Sequence, residues 1–188
     1  MNLPNDNSNL FCLEGVENIE ENLDSKIFSM LEHITTKYGI TNVYQCCDSI
    51  EGFENSLETL LYEDRNFKDY EIIYLVFSGN ENLIEINNYF YSLEEIAELF
   101  EGKLTGKILH FANTKTLDLD EETAQYFLDV TGAKAISGYG KTFPLLSTVL
   151  DAIFFGIYQE NDDLIEMVEL LFEKHTILCQ TMDFRLYY

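Results

Sequence analysis

The sequence predicts an α/β domain built on one mostly parallel central sheet with helices on both faces, and three observations predict it. Short apolar runs of strand length alternate with longer stretches whose apolar residues recur at helical spacing. One run, Glu71 to Phe77 (EIIYLVF), is nearly all apolar, as a strand covered on both faces must be. No internal repeat and no long linker breaks the pattern, so residues 10 to 188 read as a single domain behind a flexible, Asn-rich tail at residues 1 to 9.

Leu10 to Leu13 reads as a buried strand closed by Glu14-Gly15. Asp24 is placed to cap a helix from Ser25 to about Tyr38, with Ile27, Met30, Leu31 and Ile34 on one face and Gly39 as its stop. Thr41 to Cys46 is a second strand. Phe53 to Tyr62 is a second helix, with Phe53, Leu57, Leu60 and Leu61 together. The EIIYLVF strand follows and ends in Ser78-Gly79-Asn80. Leu83 to Tyr91 alternates around Asn87-Asn88, which predicts a small β-hairpin insertion.

Ser92 and Glu95 then form a capping box for a third helix. Lys107 to Phe111 (KILHF) is a fourth central strand, and Asp120 starts a helix that ends near Val130. Ala133 to Ser137 is a fifth strand. Leu145 to Tyr158 is a mostly apolar helix, Asp162 to Glu173 another, and residues 176 to 188 offer a last strand. In such sheets ligands sit beyond the carboxyl ends of the strands, so the loops after Leu13, Cys46, Phe77, Phe111 and Ser137 are where a site belongs.

The net charge is −23, and Arg65 and Arg185 are the only arginines. Such a surface repels nucleic acid and anionic lipid, whose phosphates carry the same sign. It fits either a solvated acidic exterior or a nucleic-acid mimic that blocks a basic partner. The four cysteines form no CxxC pair, and the adjacent Cys46 and Cys47 cannot make an ordinary bridge. No basic-apolar signal opens the chain, and its longest apolar stretch is short and interrupted by Asp151, so a cytoplasmic protein that does not span a membrane is expected.

Two of the five loops carry a recognisable frame. IIYLVF before Ser78-Gly79 is similar to a strand that ends in His-Gly, and ILHF before Ala112-Asn113-Thr114 is similar to one that ends in a small residue and then Ser-Cys. Thr116-Leu117-Asp118, Thr131-Gly132-Ala133, Ser137-Gly138-Tyr139 and the opening Phe11-Cys12-Leu13-Glu14-Gly15 fit the same order. Together these segments, over residues 10 to 158, resemble an uncharacterised bacterial family of small caspase-like proteins related to the CHAT-type cysteine peptidases. The resemblance implies a caspase-like three-layer sandwich. It also places Ser78 where the family has its dyad histidine, and Thr114 where it has its dyad cysteine. Phe143-Pro144-Leu145 replaces a further segment that usually reads Val-Asp-Trp.

A caspase-like site needs a thiolate nucleophile and an imidazole. A serine hydroxyl is no base near neutral pH, and a threonine hydroxyl attacks only with a base beside it. No catalytic residue is therefore assigned, and Ser78 and Thr114 are the degenerate dyad positions. His110 lies four residues before Thr114 inside a strand, roughly 13 Å away along extended chain, and reads as a core histidine with a satisfied ring. His33 and His175 read as surface residues, and the cysteines as structural. Asp118, Asp120, Glu121 and Glu122 suit a helix start better than a metal site, and no HExxH, P-loop or GxGxxG motif is present.

Gly79, Asn113, Lys115, Gly138, Tyr139 and Lys141 are expected to share a crevice with Ser78 and Thr114, where a peptide or small anion would bind. No metal and no cofactor is expected. The expected function is that of a catalytically inactive caspase-like protein that binds or regulates a protein or peptide partner. The alternatives are a hydrolase with a rebuilt nucleophile at Ser78, Thr114 or Cys46/Cys47, and an acidic inhibitor that imitates nucleic acid.

Overall fold

The computed structural model describes residues 9–21, 25–112, 117–141, 143–161 and 163–188. Nine strands are named along them: β1 (Asn9–Gly15), β2 (Thr41–Cys47), β3 (Tyr70–Val76), β4 (Gly79–Asn80), β5 (Leu83–Ile86), β6 (Tyr89–Ser92), β7 (Ile108–Ala112), β8 (Ala135–Tyr139) and β9 (Phe184–Tyr187). The helices are α1 (Lys26–Tyr38), α2 (Ile50–Glu58), α3 (Leu93–Leu99), α4 (Glu121–Thr131), α5 (Pro144–Glu160) and α6 (Leu164–Met182). The tail expected at residues 1 to 9 lies outside the described residues, apart from Asn9, which opens β1.

The central sheet has the order β2-β1-β3-β7-β8-β9. Every neighbouring pair is parallel except the last, in which β9 runs antiparallel to β8. Helices α1, α5 and α6 cover one face, packing Ile27, Leu31, Leu150, Phe154, Met167 and Leu171 against Leu10, Ile72 and Ile108. Helices α2, α3 and α4 cover the other, packing Phe53, Ile96 and Phe127 against Phe11, Ile73 and Phe111. Burying each such side chain is worth roughly 1.5–3 kcal/mol. The arrangement is thus a mostly parallel sheet between two helical layers. A small antiparallel sheet, β4-β5-β6, is inserted after β3. Its turn holds Asn87 and Asn88 at positive φ (49° and 64°), as a two-residue hairpin requires.

Several elements differ from the sequence reading. The cap of α1 is Ser25, whose Oγ accepts from the Phe28 N–H at 3.1 Å, whereas Asp24 lies outside the described residues. Helix α2 starts at Ile50, three residues early, and continues into a π-helical turn over Thr59–Glu63. Strand β8 runs two residues beyond Ser137. Helix α6 runs nine residues past Glu173, and the final strand shrinks to Phe184–Tyr187. The β-branched Thr176-Ile177 looks strand-like by propensity. Burial of Cys179 and Met182 on the same helical face as Leu171 overrides it, at the expense of a kink at His175 (φ −131°, ψ 33°).

Candidate functional site

Strand β1 pairs with β2 on one side and β3 on the other, so the strand order reverses there. The carboxyl ends of these three strands, with the tip of the β5–β6 hairpin, enclose a cavity of about 400 Å³. Gly15, Val16 and Glu17 enter it from β1, Cys47 and Asp48 from β2, and Ser78 from β3. Glu85 to Asn88 close it from the hairpin. Two backbone bonds hold the rim: Val16 N–H to Cys47 O at 2.8 Å, and Glu85 N–H to Ser78 O at 2.6 Å. Gly79 makes the second possible, because a Cβ there would stand 1.9 Å from Leu83 O. Gly79 is therefore a packing requirement of the insertion.

Glu17, Asp48 and Glu85 are the charged groups of the cavity wall, and no lysine, arginine or histidine joins them among the described residues. Ser78 is exposed there and has no imidazole in the wall. Cys47 is buried, and burial first, then the neighbouring Cys46 and Asp48, pushes its thiol up to about 12. At neutral pH it is a thiol, not a nucleophilic thiolate. The anionic ligand expected at this crevice is thus a poor fit to its described wall.

The other expected site residues scatter. Asn113, Thr114 and Lys115 lie outside the described residues. Gly138 is buried against Leu117. Lys141 is exposed, but its loop turns away from the crevice: Gly140 donates to Asp183 O at 2.8 Å and Lys141 to Met182 O at 3.1 Å. A Cβ on Gly140 would meet the Asp183 carboxylate at 2.1 Å. Tyr139 does not face the crevice either. Because β8 continues through it, strand alternation puts it on the same face as Ser137, beneath the sheet. Asp120 caps α4 by accepting from Thr123 N–H at 2.7 Å, and Asp118 pairs with Arg185, so the acidic run is a helix start. No group of three or more metal-ligating side chains is assembled among the described residues.

Beneath the sheet, residue types familiar from hydrolases do meet. Cys12, Tyr74, His110 and Ser137 stand opposite one another in register across β1, β3, β7 and β8. His110 Nδ1 lies 2.8 Å from Ser137 Oγ, and its Nε2 lies 2.8 Å from Asp151 Oδ1 on α5. Tyr74 donates to Asp151 Oδ2 at 2.5 Å, and Tyr139 donates to Oδ1. A carboxylate only accepts, so Nε2 carries a hydrogen toward Asp151. His110, Ser137 and Asp151 are all 0% exposed. Burial, reinforced by the Asp151 charge, raises the Tyr74 and Tyr139 hydroxyls well above their ordinary value, and burial likewise raises the Cys12 thiol. With no path for substrate, this chain of bonds is a satisfied core network, as the reading of His110 anticipated. Two signals pointed to it: a lone histidine in an apolar strand and a lone aspartate in an apolar helix.

A family model described as "Family of unknown function (DUF6642)" matches residues 7–188. No curated protein matches the chain.

Proposed function

The chain belongs to the DUF6642 family of unknown function, and we propose that it is a non-catalytic protein of caspase-like descent that binds a positively charged segment of a partner protein at the switch-point crevice. The observation that carries this reading is the crevice wall itself, which holds three carboxylates and no imidazole among its described residues. The chain has three histidines, and all of them lie elsewhere: His33 on α1, His110 under the sheet and His175 at the kink of α6. No base is hydrogen-bonded to the Ser78 hydroxyl among the described residues, which disfavours it as a rebuilt catalytic centre. The caspase-like part draws its support from the motif order and from the parallel sheet with a hairpin inserted after its third central strand.

Carboxylates gathered in a partly enclosed cavity attract a cation more strongly than the same groups spread over open water. The net charge of −23 steers basic partners toward the molecule and turns acidic ones away. The test compares a lysine/arginine-rich peptide with an acidic peptide of equal length by calorimetry at two salt concentrations. The basic peptide binds, more weakly in salt. The Glu17→Lys/Glu85→Lys double variant weakens it about tenfold or more. Equal binding of the acidic peptide overturns the charge reading. Cleavage of either peptide that disappears on Thr114→Ala overturns the non-catalytic one.

A further inference from the structure

The far side of the β5–β6 hairpin carries a second cavity, of about 510 Å³, with a different lining. Its walls are Tyr89 and Tyr91 from β6, Glu54 from α2, and Glu95 and Glu98 from α3, with Ile50 and Leu99 at the rim. Tyr89 and Tyr91 are two apart on one strand, so they share a face. Their rings form a corner, with centroids 4.6 Å apart and planes at 69°.

Both rings are fixed before any ligand arrives. The Tyr89 hydroxyl donates to Glu95 Oε1 at 3.0 Å, and the Tyr91 hydroxyl donates to Glu54 Oε1 at 3.2 Å. Glu95 is itself locked, because its other oxygen accepts from the Ser92 N–H at 2.8 Å in the capping box. Tyr91 is buried against Phe53, with ring centroids 5.3 Å apart, while Tyr89 is 43% exposed. Glu98 is exposed, and its carboxylate has no hydrogen-bond partner among the described residues.

We infer that this pocket binds a guanidinium cation. Aromatic faces attract organic cations, and a planar guanidinium stacks on them. Its N–H fork matches a carboxylate edge, which Glu98 supplies. A pre-set ring corner lowers the ordering cost of binding. No group of three or more metal-ligating side chains is assembled here among the described residues, and the aromatic walls suit an organic cation. The site stands apart from the crevice reading, although the two cavities adjoin: Asn88 lines one and Tyr89 the other.

The experiment titrates the protein with ethylguanidinium and follows backbone amide shifts by NMR, with urea as the uncharged isostere. Saturable shifts are expected at residues 89–91 and 95–99, and none with urea. Tyr89→Leu and Glu98→Gln, both at exposed positions, each weaken binding by about threefold or more. Each leaves the circular dichroism spectrum and the crevice-peptide affinity unchanged. In the Glu17→Lys/Glu85→Lys background, a blocked arginine tetrapeptide that binds more tightly than ethylguanidinium assigns the cation to a protein partner, and equal affinity assigns it to a small molecule. Equal shifts with urea, shifts spread over all acidic surfaces, or indifference to Tyr89→Leu overturns the inference. Because Glu17→Lys/Glu85→Lys removes only the crevice, failure of one site is distinguishable from failure of the other.

Discussion

The space beneath the sheet and the rim above it use similar side chains for opposite ends. Beneath, a serine, a histidine, an aspartate and two tyrosines form an unbroken hydrogen-bonded chain with nothing exposed. Above, a serine and three carboxylates face a partly enclosed cavity, where Asp48 accepts a long bond from the Ile19 N–H at 3.4 Å. The histidine and its bonded partners lie buried, and the described wall of the crevice holds no histidine. Proximity of the right groups is therefore no evidence of catalysis without access. The lower set is held by the cost of leaving any member unsatisfied, and the upper set is free to meet a ligand.

The strongest way to break this contrast is Asp151→Leu. It leaves two phenol hydroxyls and an imidazole N–H without their acceptor in the core, a loss of about 3–5 kcal/mol. Urea denaturation measures it, and a loss under about 1 kcal/mol would show that the network is dispensable. A matched pair of serine truncations sharpens the comparison. Ser137→Ala strips His110 of a buried partner and is expected to cost about 1–3 kcal/mol. Ser78→Ala at the exposed rim is expected to stay within about 0.5 kcal/mol. Equal costs would mean that the rim is as tightly organised as the core.

The smallest effect is a pH dependence beside the hairpin. The Ser92 N–H, and then the Tyr89 hydroxyl, hold the Glu95 carboxyl below the usual glutamate range. A carboxyl depressed in the fold contributes stability above its unfolded value of about 4.3, and loses it as pH falls through the folded value. Glu95→Gln should flatten the acid limb of the stability curve, read by denaturation at stepped pH.

Much of the fold was legible because each element announces itself locally. EIIYLVF could be nothing but a doubly covered strand, Asn87-Asn88 a hairpin turn, and Ser92 with Glu95 a helix start. Where tertiary packing overrules local preference, the sequence misled. Thr176-Ile177 favours a strand, yet the buried Cys179 and Met182 keep α6 helical. Tyr139 looked like a loop residue because strand ends are set by pairing, here with Phe184 of β9. The charge of the crevice was hidden for a different reason. Glu17, Asp48 and Glu85 come from three separate connections, and only the reversal of strand order brings them to one wall. His110 and Asp151 each stood out as lone polar residues, but their bond spans 41 residues and no periodicity joins them.

The shared carboxylate under the sheet also has an optical consequence. The chain contains twelve tyrosines and no tryptophan, so its near-ultraviolet absorbance comes chiefly from phenol rings. Phenols whose ionisation is raised in the fold favour that fold below about pH 10 and cease to do so as alkali rises through their folded values. In an alkaline titration the exposed rings turn to phenolate first, while Tyr74 and Tyr139 hold their protons until the sheet parts from α5. The late step in the phenolate band would then report the opening of the core without any added dye.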